Sequence, residues 1–450
     1  MFDTIAAVST PRGVGAIAVV RVSGEEAHAV AERVLGASKP LKEYGAGRLF
    51  RCAVRRKERV VDDAMAVLFA SPRSYTGEDM VEIYCHGGAA VTEAVLTALL
   101  EAGARGAEAG EFTRRAFLHG KLTLDEAEAV GDLLGAQTEE GATLAASNLR
   151  GALRRRTDRL SEVLTRAIAA IMVDIDFPEE GESTFDRGEM LSSLRKLEGE
   201  LAALADGFQY GRATLEGVKT VLCGRPNVGK SSLFNRLCRH EAAIVTAHAG
   251  TTRDALHETV RAGRMLLQLW DTAGIRQTRD EVESLGVDRS LEKIGEAELI
   301  LAVFDASVPL TEEDRRVIRA VKGRPCIAVA NKTDLGTVAL EELKTSFCQV
   351  CPLCAQQGEG MEALLAMMEE NYVPAGRADS GVLTNVRQYT AVTNALACVQ
   401  RACNLLEAGM EADMVSVELE DGLRALTGLG GTGVSERVVG EIFANFCVGK

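Results

Sequence analysis

The sequence lacks two features, a long uninterrupted apolar stretch and an excess of positive charge, and each absence excludes a class of protein. No apolar run approaches the roughly 18 residues that a membrane-spanning helix needs. Pro11, Arg12 and Arg21 interrupt the first apolar stretch, so a secretory signal peptide is not expected either. The formal net charge of −14 argues against nonspecific coating of nucleic acid, although a local basic face could still bind it. We therefore expect a cytoplasmic protein whose contact with a membrane could only be peripheral.

The sequence also lacks a disulfide framework. Its 11 cysteines are odd in number and scattered over predicted strands and helices, a pattern typical of reduced thiols in the cytosol. The composition is otherwise that of a folded chain, with 46% hydrophobic and 26% charged residues. A chain of 450 residues can form about two to four domains, each with its own core.

The first 120 residues contain short β-branched runs, such as 16–22 and 64–69, and one helical pattern at 91–100. This mixture predicts a small α+β domain. Two clusters in this region, 75–82 and 110–115, combine charge with glycine, and composition alone favours surface turns and helix caps for them.

Helical patterns occupy residues 122–211 and return at about 384–426 and near Ser435. Each segment alone has too few helices for a good bundle, so we infer that they pack together as one discontinuous helical domain. The region between them, 218–372, would then be an insertion. An arginine cluster in the first segment allows two interpretations, a contact with an RNA backbone or a solvated helix face; it consists of Arg150, Arg154, Arg155, Arg156 and Arg159.

The inserted region alternates strands with helices, which is typical of a parallel sheet. Between a predicted strand at 218–223 and a predicted helix at 231–237, residues 224–231 have the form Gly-x-x-x-x-Gly-Lys-Ser. Glycines let successive N–H groups point at phosphate oxygens, and the helix N-terminus adds about half a positive charge. Lys230 can reach the terminal phosphates, and the Ser231 hydroxyl can ligate Mg²⁺. This stretch predicts a phosphate-binding loop.

Further motifs follow in the order that a guanine-nucleotide switch requires. Residues 250–254, Gly-Thr-Thr-Arg-Asp, are placed as a switch loop in which a threonine hydroxyl can complete the Mg²⁺ shell. Residues 271–274, Asp-Thr-Ala-Gly, follow a predicted strand at 265–270. The Asp271 carboxylate can hold Mg²⁺ through water, and the Gly274 N–H can contact the γ-phosphate.

The last two motifs predict recognition of the base. Residues 331–334, Asn-Lys-Thr-Asp, end a predicted strand at 326–330, and a carboxylate there can accept both N1–H and N2–H of guanine, a pair that adenine lacks. Residues 354–356, Cys-Ala-Gln, follow a predicted strand at 350–353 and depart from the usual Ser-Ala-Lys. The departure leaves the main-chain role of this loop intact.

The position that activates water is unusual. Ile275 follows the Asp-Thr-Ala-Gly motif where a Ras-like enzyme has glutamine, and isoleucine cannot orient water. Either hydrolysis is slow or another residue substitutes; Asp280, Glu281 and Glu283 are the nearby candidates. Asn227, within the phosphate-binding loop, offers a carbonyl oxygen suited to a monovalent cation that would neutralise the transferring phosphoryl group.

The whole chain resembles the bacterial MnmE (TrmE) family of tRNA modification GTPases. The most specific motif is the tail Phe446-Cys447-Val448-Gly449-Lys450, which departs from the family form only by Val448 in place of isoleucine. The other motifs that carry the resemblance are 3–7 with 21–24, 76–79, 86–88, 110–112 with 115–118, and 176–178.

The resemblance implies a multidomain α/β and α fold. Its parts are a small α+β folate-binding and dimerisation domain at 1–120, a discontinuous helical domain at 121–215 and 374–450, and an inserted Ras-like P-loop GTPase domain at 216–373. It further implies a homodimer that forms a heterotetramer or larger assembly with an FAD-dependent partner of the MnmG family. Together they would add a carboxymethylaminomethyl or aminomethyl group to C5 of the wobble uridine of certain tRNAs.

The resemblance also assigns site residues. Glu283 becomes the catalytic, water-orienting residue, which answers the question raised by Ile275, and Ser231 and Thr252 become the Mg²⁺ ligands. K⁺-dependent dimerisation of the G domains would drive hydrolysis, with Asn227, Thr246, His248 and Thr251 as K⁺ ligands; His248 replaces a common isoleucine, which a main-chain ligand tolerates. Arg21, Glu82, Lys121 and Lys450 would bind 5-formyltetrahydrofolate or a related tetrahydrofolate. The GTP-binding residues would be Asn227, Val228, Gly229, Lys230, Ser231, Ser232, Thr246, Ala247, His248, Ala249, Gly250, Thr251, Thr252, Asp271, Thr272, Ala273, Gly274, Asn331, Lys332, Thr333, Asp334, Cys354, Ala355 and Gln356.

A rival hypothesis is a ribosome-assembly switch of the Era or Der type, which binds rRNA and catalyses only GTP hydrolysis. That class predicts a basic RNA-binding domain or a second G domain. The sequence shows neither of these features.

Overall fold

A computed structural model describes residues 3–11, 13–176, 186–240, 257–270, 294–373, 381–444 and 446–449. The chain divides into two compact units. The first unit comprises Met1–Gly131 with Leu426–Lys450, and the second comprises Asp132–Ala425. The first unit thus contains both ends of the chain. The domain boundaries at 120, 215 and 373 stay predictions.

The N-terminal part of the first unit is a seven-stranded sheet with helices, in the strand order β3-β4-β5-β6-β2-β1-β7. The pairs are antiparallel except for β1 with β7, which is parallel. The strands are β1 Ile5–Val8, β2 Ile17–Ser23, β3 Leu35–Gly36, β4 Leu49–Arg56, β5 Arg59–Phe69, β6 Met80–His86 and β7 Arg105–Gly106. The helices are α1 Ala27–Val34, α2 Ala89–Glu101 and α3 Glu111–Leu118.

Alternating side chains explain how this sheet forms its core. In β4, Phe50, Cys52 and Val54 are buried while the residues between them are more exposed, because successive side chains of a strand point to opposite faces. The buried face shares a hydrophobic cluster with residues of α1 and α2, such as Val30 and Leu99. The predicted strands at 16–22 and 64–69 and the predicted helix at 91–100 are confirmed.

The interpretation of the two charged glycine clusters as surface turns and helix caps is confirmed for Gly110, the N-cap of α3, but wrong in placing their charged side chains at the surface. Arg115 is 1% exposed and Glu111 is 8% exposed. The Arg115 guanidinium donates to Asp3 Oδ1 at 2.9 Å, to Glu111 Oε1 at 2.9 Å and to Glu78 Oε1 at 3.1 Å, while Arg105 donates to Asp3 and Glu111. We call these five residues the arginine–carboxylate network. The mutual pairing allows the charges to be buried, because an unpaired charge could not leave water at acceptable cost.

Five helices follow the N-terminal sheet: α4 Leu124–Gly135, α5 Glu139–Leu149, α6 Ala152–Asp176, α7 Arg187–Asp206 and α8 Phe208–Leu215. Two of them begin at a polar cap that satisfies free N–H groups of the first turn. The Thr138 side chain accepts from Gly141 N, and the Asp186 carboxylate accepts from Gly188 N and Glu189 N.

The α/β part of the second unit is a six-stranded sheet in the order β13-β12-β11-β8-β10-β9. Its strands run parallel except β9, which pairs antiparallel with β10. The elements are β8 Val218–Cys223, α9 Lys230–His240, β9 His257–Ala262, β10 Met265–Trp270, β11 Leu299–Asp305, α10 Glu312–Val321, β12 Cys326–Asn331, α11 Leu340–Ser346, β13 Val350–Pro352 and α12 Met361–Tyr372. Every predicted strand in this region is confirmed. Parallel strands place their carboxyl ends at one edge, which is where ligands bind in such sheets.

The chain ends with α13 Val386–Glu407, α14 Ala412–Thr427 and α15 Glu436–Ala444. The helical pattern predicted without a break from 384 to 426 is interrupted at Gly409, whose φ of +71° ends α13. Arg195 on α7 donates to Glu407 Oε1 on α13 at 2.6 Å, and Gln400 donates to Glu198 at 3.1 Å. Helices from before and after the α/β sheet therefore pack together, as the discontinuous helical domain requires.

All eleven cysteines are free thiols. Within the described ranges, none of the helices combines the length and the apolar character that crossing a membrane demands.

Candidate functional sites

The phosphate-binding loop joins the carboxyl end of β8 to the start of α9. Three of its residues have positive φ: Gly224 at +147°, Asn227 at +64° and Gly229 at +101°. The Lys230 side chain curls back over the loop, and its Nζ donates to Gly224 O at 2.9 Å and to Arg225 O at 2.8 Å. The loop therefore already surrounds an ammonium group at the point where phosphate oxygens are expected to bind.

Two glycines of this loop have no room for a side chain. A Cβ on Gly224 would lie 2.3 Å from Val303 O of β11, and a Cβ on Gly229 would lie 2.1 Å from Asn331 Nδ2. The positive φ angles alone favour glycine, and these contacts make it necessary. The glycine pattern thus reflects close packing of the loop on neighbouring strands as well as space for a ligand.

Asn331, at the end of β12, connects the phosphate-binding loop to both predicted base-recognition loops. It is 3% exposed. Its Nδ2 donates to Val228 O at 2.8 Å, and its Oδ1 accepts from Ala355 N at 3.0 Å. One buried amide therefore holds Val228, the 331–334 segment and the 354–356 segment in a fixed arrangement. We call this arrangement the Asn331 junction.

The neighbouring residues of the base-recognition segment are also ordered by specific contacts. Lys332 has a φ of +63°, and its Nζ donates to Asp305 Oδ2 at 2.7 Å. Burial would raise the pKa of Asp305, but the contacts with Lys332 and Ser307 outweigh it and hold that pKa below its usual range. Thr333 N donates to Leu353 O at 3.4 Å, which ties this segment to the end of β13.

The 354–356 segment forms a closed turn. Cys354 N donates to Glu359 O at 2.9 Å, Gly358 N donates to Cys354 O at 2.7 Å, and Arg236 donates to Gln356 O at 3.2 Å. Burial raises the pKa of the Cys354 thiol, and its hydrogen bond with Asp334 raises that pKa further. The Cys354 side chain therefore lies against Asp334, the carboxylate predicted to accept from guanine.

Several predicted nucleotide residues lie outside the described part of the chain. Of the predicted set, the structure places Asn227–Ser232, Asn331–Asp334 and Cys354–Gln356, with Ser231 and Ser232 in the first turn of α9. The predicted residues that lie outside are Thr246, Ala247, His248, Ala249, Gly250, Thr251, Thr252, Asp271, Thr272, Ala273, Gly274 and Glu283.

Sequence reasoning missed one contact of the phosphate-binding loop. Arg225 Nε donates to Asp314 Oδ2 at 3.1 Å, and Asp314 is 1% exposed. The same Oδ2 accepts from the main-chain N–H and the hydroxyl of Thr311, the N-cap of α10. The Thr-x-x-Asp spacing could have identified the capping box. Nothing in the sequence indicates that Arg225 would join it.

In the first unit, the predicted folate residues Arg21 and Glu82 are direct partners. They face each other across β2 and β6, and Arg21 donates through Nε at 3.0 Å and through Nη2 at 2.7 Å to Glu82 Oε1. Tyr84 OH donates to the other oxygen, Oε2, at 2.8 Å. Both carboxylate oxygens of Glu82 are therefore engaged within the protein.

The Arg21 guanidinium is also covered by aromatic rings that the sequence did not point to. Its Cζ lies 5.3 Å from the ring centroid of Tyr75 and 5.6 Å from that of Phe112. Its Nη1 is buried and, among the described residues, has no hydrogen-bond partner. A buried donor without an acceptor is costly, so this atom indicates where a ligand oxygen or nitrogen would bind.

Of the other two predicted folate residues, the structure describes Lys121. Lys121 Nζ donates to Pro72 O at 3.0 Å, in the loop that also contains Tyr75. Lys450 lies outside the described residues, but the preceding Gly449 approaches β1 so closely that a Cβ on it would lie 2.2 Å from Val8 O. Gly449 therefore lies beside the strand that pairs with β2.

The chain is similar in sequence to known proteins over its whole length. A family model described as "GTP-binding protein TrmE N-terminus" matches residues 4–121, and one described as "MnmE helical domain" matches residues 124–447. A "tRNA modification GTPase MnmE" from Thermotoga maritima is 38% identical over 454 residues, which cover 100% of each chain. Its namesake from Symbiobacterium thermophilum is 41% identical over 464 residues, covering 100% of this chain and 99% of the relative. Among solved structures, a variant of Era from Aquifex aeolicus bound to GDP and AlF4⁻ is 24% identical, with a TM-score of 0.28, and covers 40% of this chain and 66% of that one.

Proposed function

Since the chain belongs to the MnmE family of tRNA modification GTPases, we propose that it hydrolyses GTP in order to modify the wobble uridine of tRNA. The observation that carries the GTP-dependent part is the Asn331 junction. A single buried amide fixes the phosphate-binding loop and both base-recognition loops relative to one another. Such preorganisation favours binding of a whole nucleotide, because the loops lose little freedom when it binds.

We assign the parts of the site as follows. Main-chain N–H groups of the loop and Lys230 bind the phosphates, and the Asp334 carboxylate accepts from guanine. Ser231 in the first turn of α9 and Thr252 would hold Mg²⁺, which neutralises charge on the β- and γ-phosphates. The hydroxyl of Ser231 suits this hard cation, since Mg²⁺ prefers oxygen ligands.

Two further assignments concern hydrolysis. Glu283 orients the attacking water in place of a glutamine, and a K⁺ ion stabilises the transferring phosphoryl group. Asn227, Thr246, His248 and Thr251 would hold K⁺, and G domains of a homodimer would pair around it. The exposed position of Asn227 in the loop, with φ of +64°, is compatible with this role.

The N-terminal site binds a tetrahydrofolate that carries a one-carbon unit, such as 5-formyltetrahydrofolate. The buried Arg21 Nη1 and the Tyr75 ring support this proposal, since a pterin offers acceptors for the one and a flat face for the other. Glu82 keeps Arg21 in place through its two hydrogen bonds. Lys121 and Lys450 would contact the acidic tail of the folate.

The complete reaction uses an FAD-dependent partner of the MnmG family, in a heterotetramer or larger assembly. It adds a carboxymethylaminomethyl or aminomethyl group to C5 of the wobble uridine. The test is to incubate both proteins with unmodified tRNA, GTP, K⁺ and the folate, and to analyse the wobble uridine by mass spectrometry. We expect the modified nucleoside, and we expect its loss when GTP or the folate is omitted.

An Arg21→Gln variant separates the two sites in this test. It should lose folate binding and wobble modification, while its GTP hydrolysis stays at the wild-type rate because Arg21 lies in the first unit and the nucleotide site in the second. Unmodified uridine with the wild-type proteins would overturn the proposed function. GTP hydrolysis that proceeds without any tRNA modification would favour the ribosome-assembly hypothesis instead.

A further inference from the structure

The helical part of the second unit contains a cavity of about 470 Å³ that the nucleotide and folate sites do not use. It lies between the first turns of α6, the end of α7 and the segment that returns from the α/β sheet. The lining residues are Arg155, Arg156, Arg159, Ala203, Leu204, Gly207 and Val382. We call it the arginine cavity.

Close main-chain packing fixes the walls of the arginine cavity. Asn148, which is 3% exposed, donates to Val382 O at 2.8 Å and accepts from Val382 N at 3.4 Å. Gly381 has a φ of +68°, and a Cβ on it would lie 2.6 Å from Ala152 O at the start of α6. Similarly, a Cβ on Gly211 would lie 2.1 Å from Leu383 O. The segment that contains Val382 is therefore held in place by close packing on the neighbouring helices.

The three arginines of the cavity point to an anionic ligand. Positions 155, 156 and 159 share one face of α6, because residues three and four apart are neighbours on a helix. Arg155 donates to Arg150 O at 2.7 Å and Arg156 donates to Gly381 O at 3.3 Å, and these contacts orient the two guanidinium groups. Arg159 has a carboxylate partner, Glu200 Oε2 at 3.1 Å.

The position of these charges is unfavourable for the helix itself. Arg155 and Arg156 lie close to the N-terminus of α6, which begins at Ala152 and has no acidic residue in its first turn. The helix dipole disfavours cations at this end, so helix stability does not account for them. An anion in the cavity would interact favourably with both the arginines and the helix N-terminus.

We infer that the arginine cavity binds a phosphodiester of the tRNA backbone, an inference that rests on the proposed function. Arginine forks bind phosphate oxygens in pairs. The Arg159 side chain is 66% exposed, so a polymer can reach the cavity from solvent. On a chain of net charge −14, this group of arginines is a local basic face that can attract RNA.

The test compares tRNA binding by wild type and by an R155Q/R159Q variant over a series of salt concentrations. Glutamine keeps a long polar side chain, and neither residue belongs to the nucleotide or folate site. We expect roughly tenfold weaker binding at physiological salt, and a slope of log K against log salt that is smaller by about one. An R315Q/R319Q variant, which removes two exposed charges from α10, is the matched control and should bind tRNA as the wild type does.

The outcomes separate this inference from the proposed function. If R155Q/R159Q binds tRNA with the affinity and salt slope of the control, the inference is overturned while the proposed function stands. If the wild type binds no tRNA, the proposed function fails together with the inference. Binding of inorganic phosphate is measured as a second arm of the test. If R155Q/R159Q and R315Q/R319Q bind tRNA equally well, but R155Q/R159Q alone loses phosphate binding, the cavity binds a small anion and the RNA assignment is overturned. Equal melting temperatures and equal tRNA-free GTPase rates show that the variants are folded.

Discussion

The Asn331 junction makes a sharp prediction for the isosteric substitution Asn331→Asp. The new carboxylate can still accept from Ala355 N, as Oδ1 does at 3.0 Å. Its second oxygen cannot donate to Val228 O, from which the present Nδ2 lies 2.8 Å away. The change therefore replaces one buried hydrogen bond by a contact between two acceptors, with almost no change in shape.

The expected magnitude follows from the burial of this contact. Removing the donor while the buried carbonyl stays costs about 1–3 kcal/mol, the desolvation penalty of the unsatisfied group. This range corresponds to roughly 5- to 150-fold in an equilibrium constant. Burial also raises the pKa of the introduced carboxyl. The defect should therefore shrink as the pH falls through that raised value, because the protonated carboxyl can donate again.

The assay is an equilibrium titration with a fluorescent GDP analogue at pH 8 and pH 6, combined with thermal unfolding of the nucleotide-free protein. Part of the lost free energy should appear as weaker nucleotide binding, and the rest as a lower unfolding temperature of the nucleotide-free protein. Asn235→Asp is the matched control, since Asn235 is exposed on α9. If both variants have the same affinity and the same melting temperature at pH 8, the reasoning about the junction is refuted.

Four more outcomes are expected. Gly229→Ala should abolish tight GDP binding in the same titration. The control Gly323→Ala should leave GDP binding unchanged, because Gly323 has a φ of +78° but open space around it. Equal GDP affinities of the two variants would contradict the close packing of the loop. Arg115→Met should lower the unfolding free energy in urea by about 3–5 kcal/mol, because the largely buried carboxylates of Glu78 and Glu111 each lose a charged partner. The hydrogen bond from Arg105 lowers the pKa of Asp3 from 3.8 to about 2. The stabilisation that this ion pair gives the folded protein is therefore present above about pH 4 and is lost as the pH falls towards 2. An acid titration followed by circular dichroism that shows no such loss would count against the arginine–carboxylate network. Asn227→Gly keeps the positive φ but removes the side-chain oxygen, so the ratio of GTPase rates in K⁺ and Na⁺ should fall towards one; an unchanged ratio would remove Asn227 from the cation site.

Local sequence patterns predicted the elements around the nucleotide site well. The strand at 218–223, the phosphate-binding loop and the following helix are contiguous, and each depends on interactions within a few residues. The same holds for the strands that end at Asn331 and Pro352. Glycine at a positive φ favours a turn or loop, and a run of buried β-branched residues favours a strand, whatever the rest of the chain does.

The errors and omissions concern residues that are distant in sequence. The clusters around Glu78 and Glu111 resemble surface turns when viewed singly, because charge and glycine are typical of turns. Only the fold brings Asp3 and Arg115 to them, so that the charges can be buried. The rings of Tyr75 and Phe112 around Arg21 escaped detection for the same reason.

The sequence by itself therefore determined the order of elements, the phosphate-binding loop, the base-recognition motifs and, through full-length motifs, the family. Tertiary structure decided which of these residues touch. Arg21 meets Glu82 across 61 positions because the register of β2 and β6 pairs them. Asn331 meets Val228 across 103 positions because the sheet brings the end of β12 to the phosphate-binding loop. A shift of one residue in register would turn each side chain to the opposite face. The arginine cavity also exists only in three dimensions, since its walls come from α6, α7 and the segment that returns from the sheet.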